Sequence, residues 1–265
     1  MTPGPVEARA GRDPWAELRA ATGARVGLGR AGDALPTARV LELAAAHALA
    51  RDAVHDPLVA SALQAALPSV WADGVVQVAS AAPDRATYLR RPDLGRRLRD
   101  TDRALLAGRA ARPTDLAVIL ADGLSARAVH AHAPALLAAV LDRLEGWRIA
   151  PVVVAEQARV ALGDEVGELL GARLVLVLIG ERPGLSAPDS LGAYLTWDPR
   201  SGRRDSERNC VSNIRPPQGL TVDAAAVTIV NLLTAARNLE LSGVDLKDDF
   251  ASLEEPGIAG PAALS

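Results

Sequence analysis

The spacing of apolar residues changes near residue 113. Before it, helix-like stretches rich in charge dominate, as in residues 37–53. After it, short continuous apolar runs alternate with helix-length segments, and Leu174–Ile179 is the clearest of these runs. A run without polar alternation is typical of a strand covered on both faces, as in a parallel sheet.

The first 112 residues are therefore predicted to be mostly helical. Predicted helices cover residues 14–21, 37–53, 57–66 and 83–112, and residues 74–81 are a candidate short strand. Pro92 should break the last helix, because proline removes a backbone donor and clashes with the preceding turn. Thr37 is the predicted N-cap of the second helix. Residues 1–13 are predicted to be a flexible tail.

From residue 113 to 249, strand and helix patterns alternate. Strands are predicted at 116–120, 149–155, 174–179 and 192–197, and helices at 125–145, 164–170 and 221–241. Ser125 and Thr221 are the predicted N-caps of the two long helices. This order predicts a doubly wound α/β domain with a mainly parallel sheet. Residues 250–265 are predicted to be a disordered tail.

Composition excludes several function classes. The net charge of −3 does not show the excess of positive charge that is typical of nucleic-acid-binding proteins. Cys210 is the only cysteine, so an intrachain disulfide cannot form and a reducing compartment is expected. No segment has the apolar length to span a bilayer, and prolines interrupt the N-terminus where a secretory signal would lie. We expect a soluble intracellular protein with no nucleic-acid or membrane partner.

The candidate binding region follows the strand at 174–179. In open α/β sheets, ligands bind beyond the carboxyl ends of the strands. Residues 180–190 are polar and rich in glycine and proline, and an ordinary connection is the alternative interpretation. With segments 121–125 and 198–217, also taken as loops, they offer many backbone and amide groups. Such loops suit a large uncharged cofactor edged with amides better than they suit phosphates.

Gly27, Gly29 and Gly32 match the G-x-G-x-x-G spacing of dinucleotide-binding loops. That motif must open a helix directly, so that pyrophosphate meets the helix N-terminus. Here Pro36 intervenes before the helix predicted from Thr37. We therefore expect a structural or interface role for this loop. A stand-alone dinucleotide-dependent oxidoreductase is the alternative, and it needs the segment Gly27–Gly32 to lie between a strand and a helix.

Other catalytic and metal-binding patterns are missing from the sequence. His130 and His132 are two residues apart in a predicted helix, so they diverge and cannot chelate one ion from a shared face. With one cysteine and no H-E-x-x-H motif, no protein metal site is expected. There is no G-x-S-x-G motif, and no histidine lies near Cys210 in the sequence. We expect no catalytic residue in this chain.

Motifs along the chain resemble the small subunit of ethanolamine ammonia-lyase, in the same order, from about Ala24 to Asp248. They are ARVGLGRAG at 24–32, RPDLGRRL at 91–98, DGLSARAVHAHA at 122–133, RVALGD at 159–164, IGERPGLSAPDSLGAYLTW at 179–197, RNCVSN at 208–213 and LSGVDLKD at 241–248.

This resemblance implies an adenosylcobalamin-dependent lyase that converts ethanolamine to acetaldehyde and ammonia by radical chemistry. Homolysis of the cofactor's cobalt–carbon bond supplies the radical. In this family a large barrel subunit holds the substrate, and the small subunit covers the other face of the cobalamin in a hetero-oligomer. The chain is then inactive alone. Residues 14–112 are expected to contact the large subunit, and residues 113–249 the cobalamin.

The resemblance also implies cobalamin contacts at Val160, Glu181 and Cys210. Glu181 would accept hydrogen bonds from corrin amides or ribose hydroxyls, Val160 would form an apolar wall, and Cys210 would make a small, soft contact. The sequence has no Asp-x-His-x-x-Gly motif, so the cobalamin is implied to keep its own base on cobalt. A purely structural interaction subunit, which the cofactor would not touch, is the alternative.

The chain departs from the family pattern at two places. RPPQGL at 215–220 carries an extra residue, so the loop after Arg215 is expected to differ. Some members have an N-terminal helix that addresses them to a bacterial microcompartment, whereas the first 23 residues here are short and broken by prolines. We expect a cytoplasmic location, inside a microcompartment where the organism has one, without targeting by this N-terminus.

Overall fold

The computed structural model describes residues 13, 15–68, 71, 74–109 and 113–247. Internal contacts divide the chain into two compact units, with the boundary between Leu49 and Ala50. The tails predicted at 1–13 and 250–265 lie outside the described residues, apart from Asp13.

The first unit contains helix α1 (Ala16–Ala21), the loop with the three glycines and most of helix α2 (Thr37–His55). The three glycines of the loop have positive φ angles. Residues 24–30 form no strand, and α2 begins only at Thr37, which is its first helical residue and not its N-cap. The loop Gly27–Gly32 therefore lacks the strand–turn–helix context of a dinucleotide site, as the sequence predicted.

The second unit is built on a six-stranded sheet. The strands are β1 (Val76–Ala79), β2 (Thr114–Ala121), β3 (Val153–Glu156), β4 (Ala172–Gly180), β5 (Leu191–Trp197) and β6 (Arg208–Ile214). The helices are α3 (Ala60–Ala66), α4 (Arg85–Arg90), α5 (Asp100–Ala107), α6 (Ala126–Leu141), α7 (Leu162–Leu169) and α8 (Val222–Leu239), with 3-10 turns at Leu94–Arg96, Asp205–Glu207 and Gly243–Asp245.

The strand order is β1-β3-β2-β4-β5-β6. Strands β1, β3, β2 and β4 run parallel to one another, while β5 and β6 are each antiparallel to the preceding strand. The predicted mainly parallel sheet is confirmed. The sheet begins before residue 113, because the candidate strand at 74–81 supplies β1 and pairs with β3.

Strand β6 was not predicted, and the interpretation of residues 198–217 as a loop was wrong at 208–214. These residues pair with β5, with Cys210 opposite Tyr194 and Arg208 opposite Thr196. An edge strand pairs on one side only and leaves part of its surface to solvent, so it needs no continuous apolar run.

Helices cover both faces of the sheet, which confirms the doubly wound arrangement. Alternate side chains of a strand lie on opposite faces. One apolar layer, formed with α6 and α8, contains Leu116, Val118, Leu120, Leu174, Leu176 and Leu178. The other, formed with α5 and α7, contains Ala117, Ile119, Val175 and Val177. Helix α7 lies close to the sheet, since a Cβ added at Gly163 would lie only 2.3 Å from Val177 Cγ2.

The two N-caps predicted in this unit are present. Ser125 Oγ accepts a hydrogen bond from Ala128 N at the start of α6, and Thr221 Oγ1 accepts one from Ala224 N at the start of α8. Ser125 thereby turns the chain from the end of β2 into α6, beside the polar edge of the sheet.

Candidate functional site

Polar residues gather at one edge of the sheet, where the parallel strands end. Asp122 follows β2, Gln157 follows β3 and Glu181 follows β4. Strand β6 runs parallel to β4 and also ends at this edge, whereas the antiparallel β5 begins there. In open α/β sheets this edge is where ligands bind.

Glu181 is half-buried, and several hydrogen bonds hold its carboxylate. Its Oε2 accepts hydrogen bonds from Ser190 Oγ at 2.5 Å and from Asn213 N at 3.2 Å. Its Oε1 accepts one from Ser212 Oγ. Gly192 lies beside it, and a Cβ there would be 3.0 Å from Oε1. The carboxylate is thus fixed between β6 and the start of β5, and its acceptor capacity of about four hydrogen bonds is not exhausted.

Tyr194 and Cys210 lie opposite each other across β5 and β6, and their side chains are hydrogen bonded. Burial raises the pKa of Tyr194, and the hydrogen bond to Cys210 adds to this effect. Cys210 is exposed, but partial burial of its sulfur raises the pKa of the thiol. A thiol with a raised pKa is a weak nucleophile, which favours a packing role for Cys210.

Two neighbouring cavities, of about 430 and 410 Å³, share Arg159, Val160 and Tyr194 as wall residues. Cys210 lines the first cavity and Glu181 the second. The structure therefore brings Val160, Glu181 and Cys210 together around Tyr194, although they come from three separate motifs.

Val160 lies in the turn that leads into α7, and its side chain is half-buried. Hydrogen bonds fix this turn on both sides. Ala158 N donates to Asp122 Oδ1 at 3.0 Å, and Arg159 N donates to Gly95 O at 2.8 Å. The position of Val160 thus depends on the end of β2 and on the 3-10 turn at Leu94–Arg96.

A buried ion pair lies behind the first cavity. Arg208 Nη2 donates to Asp164 Oδ2 at 2.7 Å, and Arg208 Nη1 also donates to Thr196 Oγ1 at 3.1 Å. Arg208 lines the cavity as well, two residues before Cys210 in β6. Sequence reasoning missed this pair, because its two partners are 44 residues apart.

A second cluster surrounds Tyr88 at the end of β2. The guanidinium groups of Arg85 and Arg159 each lie over the Tyr88 ring, 4.9 and 4.5 Å from its centroid. Its hydroxyl donates to Ala158 O at 2.9 Å. Arg85 Nη1 donates to Asp122 Oδ2 at 2.9 Å, yet burial raises the pKa of Asp122 to about 6.

One signal in the sequence points to this region. The chain contains only two tyrosines, Tyr88 and Tyr194, and both line the second cavity. A tyrosine ring packs against apolar groups while its hydroxyl forms hydrogen bonds. In a chain with so few aromatic residues, the two tyrosines therefore indicate a region that combines both kinds of contact.

The two histidines of the H-x-H pattern have separate environments. His130 Nε2 accepts a hydrogen bond from Val59 N at 3.1 Å, while His132 Nε2 lies 3.8 Å from Asp189 Oδ2. Within the described ranges, no three side chains of metal-ligating types converge. No helix in those ranges combines the length and the apolar character that crossing a membrane requires.

Comparison with known proteins identifies the family. Residues 12–247 match the family model described as ethanolamine ammonia-lyase light chain (EutC). The chain is 53% identical over 256 residues to the ethanolamine ammonia-lyase small subunit of Azotobacter vinelandii, covering 94% of each chain. It is 52% identical to that of Rhodococcus erythropolis, covering 89% of this chain and 90% of the relative. It is 56% identical to that of Xanthomonas campestris pv. campestris, covering 90% and 89%. The chain belongs to the ethanolamine ammonia-lyase light chain family.

Proposed function

We propose that this chain works as the small subunit of an adenosylcobalamin-dependent ethanolamine ammonia-lyase, in a hetero-oligomer with a large subunit. In this role it forms one wall of the cobalamin site. The observation that carries the proposal is the convergence of Val160, Glu181 and Cys210 on neighbouring cavities at the carboxyl edge of the sheet.

The chemistry of these side chains fits cobalamin. The corrin ring is edged with amides, which need both acceptors and donors. Glu181 offers acceptor oxygens, and the Tyr194 hydroxyl oxygen, which donates its proton to Cys210, can accept a further hydrogen bond. Val160 supplies an apolar surface between them. Arg159, which lines both cavities, adds a positive charge to this wall.

The size of the cavities supports a site shared between two subunits. Each cavity is smaller than a corrin ring with its nucleotide tail, and both are open to solvent. This chain would therefore cover only part of the cofactor, and the large subunit would cover the rest.

The proposal gives this chain a binding role and no catalytic residue. When bound, adenosylcobalamin supplies the radical chemistry that deaminates ethanolamine. Glu181 orients the corrin edge through a carboxylate that Ser190 and Ser212 hold in place. Val160 excludes water from the contact. A cytoplasmic location, inside a microcompartment where the organism has one, stays a prediction.

Reconstitution tests this proposal. Ethanolamine and adenosylcobalamin are incubated with this chain alone, with the large subunit alone, and with both. We expect ammonia release only from the mixture, together with co-elution of the two chains. Ammonia release by this chain alone, or full activity of the large subunit without it, would contradict the proposal.

A further inference from the structure

Arg159 is held rigidly in the wall that the two cavities share. Its guanidinium lies 4.5 Å from the centroid of the Tyr88 ring, and that ring is fully buried. A Cβ added at Gly95 would lie 3.0 Å from Arg159 Cγ, so the 3-10 turn packs closely against the arginine side chain. Stacking and packing therefore fix the charge at the cavity wall before any ligand arrives.

Arg159 forms no ion pair within the described part of the chain. Its neighbours differ in this respect, because Arg85 pairs with Asp122 and Arg208 pairs with Asp164. Arg159 Nε is buried and has no hydrogen-bond acceptor. Arg159 as a whole is half-buried and lines both cavities, so the rest of its guanidinium can meet a ligand there. A guanidinium pairs well with a carboxylate or phosphate that accepts its N–H groups. The position of Arg159 therefore favours an anionic group in the cavity.

The anion is expected on the Cys210 side, in the first cavity. The Glu181 carboxylate lines the second cavity and would repel an anion there. Arg96 lines the first cavity and adds positive charge. Asp205 also lines it, but its side chain is 82% exposed and lies near both Arg96 and Arg208, so its charge is offset.

We propose that Arg159 binds the phosphodiester of the cobalamin nucleotide tail and so recognises the nucleotide end of the cofactor. This inference rests on the proposed function. The side chains of the corrin are neutral amides, and beyond the cobalt–corrin unit the phosphodiester is the charged group of the molecule. A guanidinium presents two parallel N–H groups that match a phosphate, which a lysine cannot do.

Two cobalamin fragments distinguish the contribution of the phosphate contact to affinity from the contribution of the corrin ring. Adenosylcobinamide lacks the nucleotide tail and its phosphate, whereas adenosylcobinamide phosphate retains the phosphate without the base. Each is titrated into the assembled two-subunit complex and followed by equilibrium dialysis. We expect the wild-type complex to bind the phosphate form about tenfold to hundredfold more tightly, as a charge-assisted pair predicts.

Three variants complete the experiment. Arg159→Met keeps much of the apolar stem and should abolish the preference for the phosphate form, leaving adenosylcobinamide affinity nearly unchanged. Arg159→Lys should keep part of the preference. Arg90→Met, at an exposed arginine of α4 outside both cavities, should keep all of it.

The affinities of the wild-type complex for the two fragments can be compared even if a variant fails to fold. Equal wild-type affinity for the two fragments would overturn the inference, as would an equal loss for both in Arg159→Met. If the wild-type complex bound neither fragment, nor adenosylcobalamin itself, the proposed function would fail together with this inference.

Discussion

Arg208 and Asp164 form a buried ion pair that joins β6 to the first turn of α7. Their side chains are 3% and 1% exposed. Because alternate residues of a strand lie on the same face, Arg208 lies on the face that carries Cys210. The pair therefore fixes the strand and the helix start that surround the first cavity.

Removing one partner of this pair should be strongly destabilising. In Arg208→Met, the Asp164 carboxylate stays buried without its counterion, and we expect the free energy of unfolding to fall by about 3–5 kcal/mol. Urea unfolding followed by circular dichroism measures the change. The matched control is Arg143→Met, which breaks the exposed pair with Asp223 and should cost at most about 1 kcal/mol. Similar losses in both variants would contradict the structural role of the buried pair.

Asp122 should make stability depend on pH. Burial raises its pKa from 3.8 to about 6, although Arg85 and a backbone hydrogen bond from Ala158 oppose this effect. The native state then binds the proton more tightly than the unfolded chain does. The stabilising contribution of Asp122 is fully present below about pH 4 and is lost as the pH rises through 6, a change on the order of 3 kcal/mol.

The variant Asp122→Asn isolates this contribution because it cannot titrate. We expect the stability of the wild type, measured relative to this variant, to fall between about pH 4 and 7. Asp142→Asn, the same change at the exposed end of α6, is the matched control. Parallel curves for Asp122→Asn and the wild type would show that the pKa of Asp122 is not raised.

The loop Gly27–Gly32 should not bind a dinucleotide, because residues 15–26 contain no strand and α2 does not follow the loop directly. A ligand that binds only the native state raises the melting temperature. NAD or NADP at millimolar concentration should therefore leave the Tm of this chain unchanged. An upward shift of several degrees would support the oxidoreductase alternative.

The core strands could be predicted because burial on both faces leaves a local signature. Leu174–Ile179 has no polar position, and the structure places it at the centre of the sheet as part of β4. Ser125 and Thr221 were found for a similar reason, since a cap depends on residues three positions apart. Both features can be recognised within a short window of sequence.

The surroundings of the site could not be predicted in this way. Strand β6 has only one neighbour and carries polar residues, so its segment resembles a loop. The contact between Arg159 and Tyr88 and the pair between Arg208 and Asp164 join residues 71 and 44 positions apart, respectively. Such contacts depend on the packing of α7 and the 3-10 turn against the sheet, and no local pattern encodes them.

Val160, Glu181 and Cys210 came from the family resemblance, and their roles remain predictions. The structure adds a geometric reason to test them together, because they line cavities with a common wall. Val160→Ala should weaken cobalamin binding by about 1 kcal/mol of lost apolar contact. Cys210→Ser should have a mild effect, since the thiol is a contact and not a nucleophile.

Cobalamin titration of the assembled complex carrying Glu181→Ala tests the central claim most directly. We predict a loss of roughly 1.5–3 kcal/mol, about tenfold to hundredfold in affinity, with subunit assembly intact. The control Glu145→Ala changes an exposed glutamate in the loop after α6 and should leave affinity unchanged. If a complex shown to be intact bound cobalamin equally well with Glu181→Ala and with wild-type chain, this edge of the sheet would not be the cofactor site.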